Sequence, residues 1–303
     1  MRARIRFAAV VAAAALTAVP TASAAVADDG LHHGDQRGTQ VLDVTASVLD
    51  VTASNDGPQG LPRYTLSTDT LQAGLETIRL HNKGTEPHQV QLLRLHDDKT
   101  FSDLSTVLAD PKGDPFTVAD ATGGSNTILP GAKQETYVNL RAGHYVALCF
   151  VTDEVSNVPH FAEGMIAQFE VTGAGTSQRP DAEGTISAFS FGFNIPAYVD
   201  GHGIYRFKNL SDTDSHELTI ERLAPGKTAD DFLNVISGKV VGNPNDIIAT
   251  PAGGGGAVAP HGVDWVRLNL APGDYIAVCL LPDAEAQGAP HAALGMVRGF
   301  SVR

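Results

Sequence analysis

Apart from Met1, all the sulfur of this 303-residue chain is in two cysteines and two methionines, and these recur in register. Cys149 is followed by His160 and Met165, and Cys279 by His291 and Met296. About sixty residues upstream of each cysteine stands another histidine, His88 and His216. The offsets between the two sets are 128, 130, 131 and 131 residues. Self-similarity at one period means that the same unit is built twice. Each unit must then place a distant histidine beside a Cys-His-Met cluster.

The surrounding segments repeat with nearly the same offset. Ile78-Arg79-Leu80-His81-Asn82 corresponds to Tyr205-Arg206-Phe207-Lys208-Asn209, and His88-Gln89-Val90-Gln91-Leu92 to His216-Glu217-Leu218-Thr219-Ile220. These alternate with a period of two, as half-buried strands do. Thr100 with Asp103, and Thr228 with Asp231, carry the capping-box spacing. Phe101, Leu104, Val107 and Leu108 follow at helical spacing, as do Phe232, Val235 and Ile236, so one short helix is expected per copy. Gly123-Gly124 and the glycine run 253–256 read as loop, the latter as flexible linker. Strands are expected to resume at 135–140 and 264–270, then at Tyr145 to Cys149 and Tyr275 to Cys279, and to close at 166–171 and 297–302. Short strands with Gly/Pro turns and one helix per copy imply a repeated antiparallel sandwich.

Residues 1–24 read as a signal peptide: Arg2, Arg4 and Arg6, an apolar run from Phe7, and Ala22-Ser23-Ala24 as cleavage site. Removing three arginines takes the formal charge from −13 to −16, which disfavours nucleic acid and anionic membrane as partners. No later segment has the apolar length of a membrane span. An exported protein in the extracellular space or cell envelope is therefore expected. Residues 25–59 read as a partly disordered extension whose Val/Thr alternation offers an edge strand; His32 and His33 fall in its exposed part. The units are expected at 60–172 and 184–303, joined by a Gly/Ser/Thr/Pro linker at 173–183. A disulfide would require equivalent strands of two separate cores to bring their Cα atoms within about 7 Å. Burial or a metal is the expected shield for the thiols instead.

Two imidazoles and a thiolate in a plane, with a weak axial thioether, are the donors of electron-transferring copper. Asn82-Lys83-Gly84-Thr85-Glu86-Pro87-His88, Tyr145 to Cys149, and Pro159-His160-Phe161-Ala162-Glu163-Gly164-Met165 resemble the motifs of the cupredoxins. Pro290-His291-Ala292-Ala293-Leu294-Gly295-Met296 is closer still. The resemblance covers roughly 60–303. It implies an all-β fold of two consecutive cupredoxin-like Greek-key sandwiches, each holding one type 1 copper. One implied ligand set is His88, Cys149, His160 and Met165, and the other His216, Cys279, His291 and Met296. Asn82 and Asn209 resemble the family's asparagine that ties the ligand loops together. The Cys-to-His loops, with ten and eleven intervening residues, are longer than in small carriers, and Ser215 replaces the proline before His216.

Zinc would more often recruit a third hard or thiolate ligand than methionine. There is no His-x-His for a trinuclear copper centre, and Leu148 and Val278 stand where a copper nitrite reductase has histidine. The expectation is thus a non-enzymatic module for one-electron transfer or copper holding, working with another exported redox or copper protein. A metal-free binding or cell-surface sandwich is the alternative. His81, His96, His144, His202 and His261 have no matched partner in the other copy and read as surface residues.

Overall fold

Alternation along Ser47–Ser54 buries Leu49, Val51 and Ala53 completely on one face and leaves polar residues on the other. That period-two pattern recurs, and among the described residues the regular structure is mostly strand. The computed structural model describes residues 47–303 except 154 and 176–178. The expected signal peptide, His32 and His33 lie outside the described residues.

The first half contributes β1 (Ser47–Ser54), β2 (Arg63–Leu66), β3 (Thr70–Gln72), β4 (Gly74–Asn82), β5 (His88–Leu95), β6 (Ala119–Ile128), β7 (Lys133–Leu140), β8 (Gly143–Leu148) and β9 (Ile166–Thr172). The second contributes β10 (Gly184–Phe189), β11 (Gly192–Asn194), β12 (Tyr198–Val199), β13 (His202–Asn209), β14 (His216–Leu223), β15 (Ile248–Val258), β16 (Val263–Asn269), β17 (Gly273–Val278), β18 (Pro282–Asp283), β19 (Ala289–Pro290) and β20 (Val297–Val302). One helix follows β5 and one follows β14: α1 (Phe101–Ala109) and α2 (Ala229–Ile236). Both begin with a complete capping box, Thr100/Asp103 and Thr228/Asp231. Each satisfies two otherwise orphaned amides reciprocally.

One sheet runs β11-β10-β13-β16-β7-β4-β1-β2 and the other β12-β20-β17-β14-β15-β6-β5-β8-β9-β3. Each is a second-half block followed by the same block of the first half in reverse order. The two sandwiches are therefore joined edge to edge, and both sheets cross the seam. At the seam Thr136 pairs with Val266 and Ser125 with Gly255, residues 130 apart in each case, so equivalent positions face each other. Side chains repeat this reciprocity. Gly254 N–H donates to Gln134 Oε1 and Gly124 N–H to Asp264 Oδ2, each at 3.2 Å.

The glycine run expected as flexible linker lies inside β15, buried at this seam. Gly124 and Gly254 both have φ near +120°, and a Cβ there would stand 2.1 and 1.9 Å from the carbonyl oxygens of Val90 and Leu218. Glycine marks close backbone approach here, not a loop. β1 falls in the segment expected to offer an edge strand. It is internal, parallel to β4 and flanked by β2, just as β10 runs parallel to β13.

The core of each half lies between its sheets. Leu80, Val90, Leu92, Ala147, Cys149, Met165 and Phe169 belong to one, and Phe207, Leu218, Ile220, Ala277, Cys279, Met296 and Phe300 to the other. Further apolar residues, such as Leu93, Leu104 and Leu148, fill the space under α1.

Candidate metal centres

Strand parity brings the distant histidine to the cysteine. His88, Val90 and Leu92 alternate on the inner face of β5, and Tyr145, Ala147 and Cys149 on the inner face leading out of β8. β5 and β8 are antiparallel neighbours, with Gln91 opposite Leu148, so His88 and Cys149 share one end of the sandwich. His216 and Cys279 follow the same rule, with Thr219 opposite Val278.

The long Cys-to-His loops are pinned by the same four backbone hydrogen bonds in both halves. His160 N donates to Val151 O, Phe161 N to Cys149 O, Met165 N to His160 O and Cys149 N to Met165 O, at 2.8–3.2 Å. The counterparts are His291 to Leu281, Ala292 to Cys279, Met296 to His291 and Cys279 to Met296, at 2.8–3.3 Å. The extra loop length is taken up outside these anchors, in a single Thr152–Pro159 bridge or the β18–β19 hairpin. Gly164 and Gly295, with φ of +116° and +115°, allow the turn that returns the chain to methionine.

Three donor atoms converge in each half. His88 Nδ1 and His160 Nδ1 are 3.1 Å apart, and Cys149 Sγ is 3.7 Å from His160 Nδ1. His216 Nδ1 and His291 Nδ1 are 3.2 Å apart, with Cys279 Sγ at 3.9 and 3.4 Å from them. All six residues are buried. A transition ion with bonds of about 2.0–2.1 Å to imidazole and about 2.3 Å to thiolate spans donors spaced roughly 3–4 Å apart, so the set fits. Met165 and Met296 are fully buried beside their cysteine and histidine in the chain path just described.

The electrostatics suit a cation. Burial holds His88 down to about 3 and both His160 and His216 to about 4, with His291 lowered for the same reason. All four imidazoles are thus neutral donors at neutral pH. Burial pushes the Cys149 thiol up to about 12 and Cys279 higher still, where the Glu217 carboxylate adds to the effect. Without a cation both sulfurs keep their protons, and a metal ion must displace them. The two cysteines are free.

Asn82 Nδ2 donates to Glu86 O and Ile128 O, and Asn209 Nδ2 to Asp214 O and Val258 O. Each asparagine thus ties the turn before its histidine to the end of β6 or β15. Among the unmatched histidines, His81 is half-buried and sits 3.0 Å from Asp50. The carboxylates Glu86 and Asp153, which form a third compact group with His160, were not among the sequence candidates. Their signal was available: Asp214 and Asp283 stand at the matching positions of the second half.

No protein-family model matches the chain, and no curated protein matches it. Among solved structures, auracyanin from Roseiflexus castenholzii is similar at 19% identity over 40% of this chain and 95% of its own, with a TM-score of 0.27. A multicopper oxidase is similar at 14% over 84% of this chain and 88% of its own, with a TM-score of 0.22. A copper nitrite reductase from Thermus scotoductus is similar at 15% over 85% and 62%, also with a TM-score of 0.22. These include enzymes, and the expectation of a non-enzymatic protein is corrected on that ground. The physical reason is that two imidazoles and a thiolate, the donors of electron-transferring copper, do not by themselves separate a carrier from a catalyst. Missing motifs therefore do not decide between them.

Proposed function

We propose that this chain, a tandem of cupredoxin-like sandwiches, is an exported copper protein with one mononuclear site per half, used for one-electron exchange or copper holding. The ligands are His88, Cys149, His160 and Met165 in one half and His216, Cys279, His291 and Met296 in the other. The observation that carries this reading is the convergence of two neutral imidazole nitrogens and one thiol sulfur at the same place in both halves. Copper, when bound, would supply a one-electron couple tuned by the thiolate and the axial sulfur. The protein's own part is to hold the imidazoles neutral, exclude water, and fix the loop ends by backbone bonds. Little then has to move when the charge of the site changes. Its partner would be another exported redox or copper protein. Among the described residues no helix is long and apolar enough to cross a membrane.

Copper analysis and absorption spectroscopy of protein from copper-supplemented cells test this. An intense blue thiolate-to-copper band and two coppers per chain are expected, one lost in Cys149→Ser, one in Cys279→Ser and both in the double variant. Colourless protein with two titratable thiols and no copper would refute it.

A further inference from the structure

Beside the two copper donor sets, a third group of ligating side chains converges in the first half. Glu86 comes from the turn before β5 and Asp153 from the loop after Cys149; with His160 they bring their ligand atoms within 4.8 Å of one another. His160 Nε2 lies 3.3 Å from the Glu86 carboxylate, yet it makes no hydrogen bond, and the ring is only 1% exposed. A buried polar nitrogen in that state lacks the partner such groups normally have. Two carboxylates this close also repel unless a proton or a cation stands between them. Asp153 Oδ1 accepts the amides of Val155 and Ser156, which holds its carboxylate in place. Both acids are half-buried, so water reaches the group from outside.

The other buried imidazole nitrogens have different surroundings. At His88 the space is taken by backbone, since a Cβ on Gly84 would stand 2.7 Å from Nε2. In the second half the matching acids are engaged elsewhere. Asp214 Oδ2 accepts the hydroxyls of Ser211 and Thr213, and Asp283 Oδ1 accepts the Ala286 amide, with Oδ2 at 3.9 Å from His291 Nε2. Among the described residues, no carboxylate forms a compact ligating group with His216 or His291.

We infer that Glu86, Asp153 and Nε2 of His160 form a separate site for a borderline divalent cation such as zinc, present in the first half only. Carboxylate oxygens and an imidazole nitrogen, with no sulfur, suit such an ion and not copper(I). Water completes the coordination, as it does in open zinc sites. The site has a consequence for its neighbour. A neutral imidazole has one bare nitrogen and one proton. With an ion on Nε2 the proton sits on Nδ1, where His88 Nδ1 at 3.1 Å accepts it. Copper on Nδ1 would require the proton on Nε2. The neutral His160 ring therefore serves one ion at a time, and the outer cation opposes copper in the first half but not in the second.

The site stands without the copper reading; only the opposition between the two ions rests on it. Full-length Cys149→Ser/Cys279→Ser protein, which lacks both thiolates, is the material for the first test. Calorimetric titration with zinc chloride should show one zinc per chain, and ¹⁵N NMR should place it on Nε2 of His160 with the proton on Nδ1. Glu86→Gln and Asp153→Asn should each abolish that binding, whereas Asp283→Asn should retain it. The Glu86 backbone carbonyl, not its side chain, receives the Asn82 amide, so the turn survives Glu86→Gln. Thermal denaturation of the zinc-free variants checks that both still fold. No zinc uptake by the double serine variant, zinc on Nδ1, or binding that persists in Glu86→Gln would overturn the site. In a second test, zinc should weaken copper(II) retention against a chelator more in Cys279→Ser protein than in Cys149→Ser protein, and Glu86→Gln should remove the difference. Equal weakening in the two halves would overturn the opposition. Protein that takes up zinc at Nε2 but never copper overturns the copper reading alone.

Discussion

Glu221 occupies a position that apolar chemistry fills in the other half of the protein. It lies in β14 opposite Ile276, and its counterpart in β5, Leu93 opposite Val146, is fully buried among apolar residues. Glu221 is only 6% exposed, lines a small cavity with Phe232, Asn245, Ile248 and Val278, and has no hydrogen-bond partner for Oε2. Burial, helped by the nearby Glu217 carboxylate, raises its pKa from 4.5 to about 8. The folded state therefore keeps a proton that the unfolded chain has already lost. Stability is fully present below the unfolded value, falls as pH rises toward the folded value, and levels off above it. At about 1.4 kcal/mol per unit, the loss reaches roughly 3 kcal/mol at pH 7 and about 5 above pH 8. Glu221→Leu removes the titrating group and installs the residue of the other half. Urea unfolding of copper-free wild type and variant at pH 5 and pH 8 is the assay. The variant's advantage should grow by about 4 kcal/mol between those two pH values. A difference that does not change with pH would refute the reasoning.

Three further outcomes follow from the fold. Gly124→Ala places a Cβ against the Val90 carbonyl oxygen and should cost at least about 2 kcal/mol, whereas Gly131→Ala, with φ +80° but open space, should cost about 1 kcal/mol; thermal denaturation ranks the pair. Thr228→Ala removes one capping box and should cost about 1 kcal/mol, measured by chemical denaturation. Trp265, the single tryptophan, pairs with Tyr137 across the seam. Its fluorescence transition should therefore coincide with that of far-UV circular dichroism, and two resolved steps would show that the halves unfold separately.

What could be read from sequence was whatever local chemistry dictates. The capping boxes at Thr100 and Thr228 need only residues three apart, and they form as spaced. Strand parity likewise carried His88 to Cys149 once β5 and β8 were recognised as neighbours. The seam was not legible, because a glycine run reads the same whether it frees the chain or lets two backbones approach. Only the Val90 and Leu218 carbonyls, distant in sequence, distinguish the two. β1 was hard to place for a related reason. Its alternation gives a strand but not a partner, and its parallel pairing with β4 depends on the whole sheet. Glu86 was overlooked because acids near turns are common, and the imidazole beside it comes from another segment of the chain.

Joining the halves through both sheets has a consequence for solubility. An unpaired strand edge is a template for adding another chain, and long flat edges invite aggregation. Here β6, β7, β15 and β16, strands of 7 to 11 residues, satisfy one another at the seam. The strands left at the four outer margins are β2, β3, β11 and β12, none longer than 4 residues. A half cut free at the linker would expose its two long edges to solvent, whereas the fused chain presents only short ends, which another strand can hardly extend.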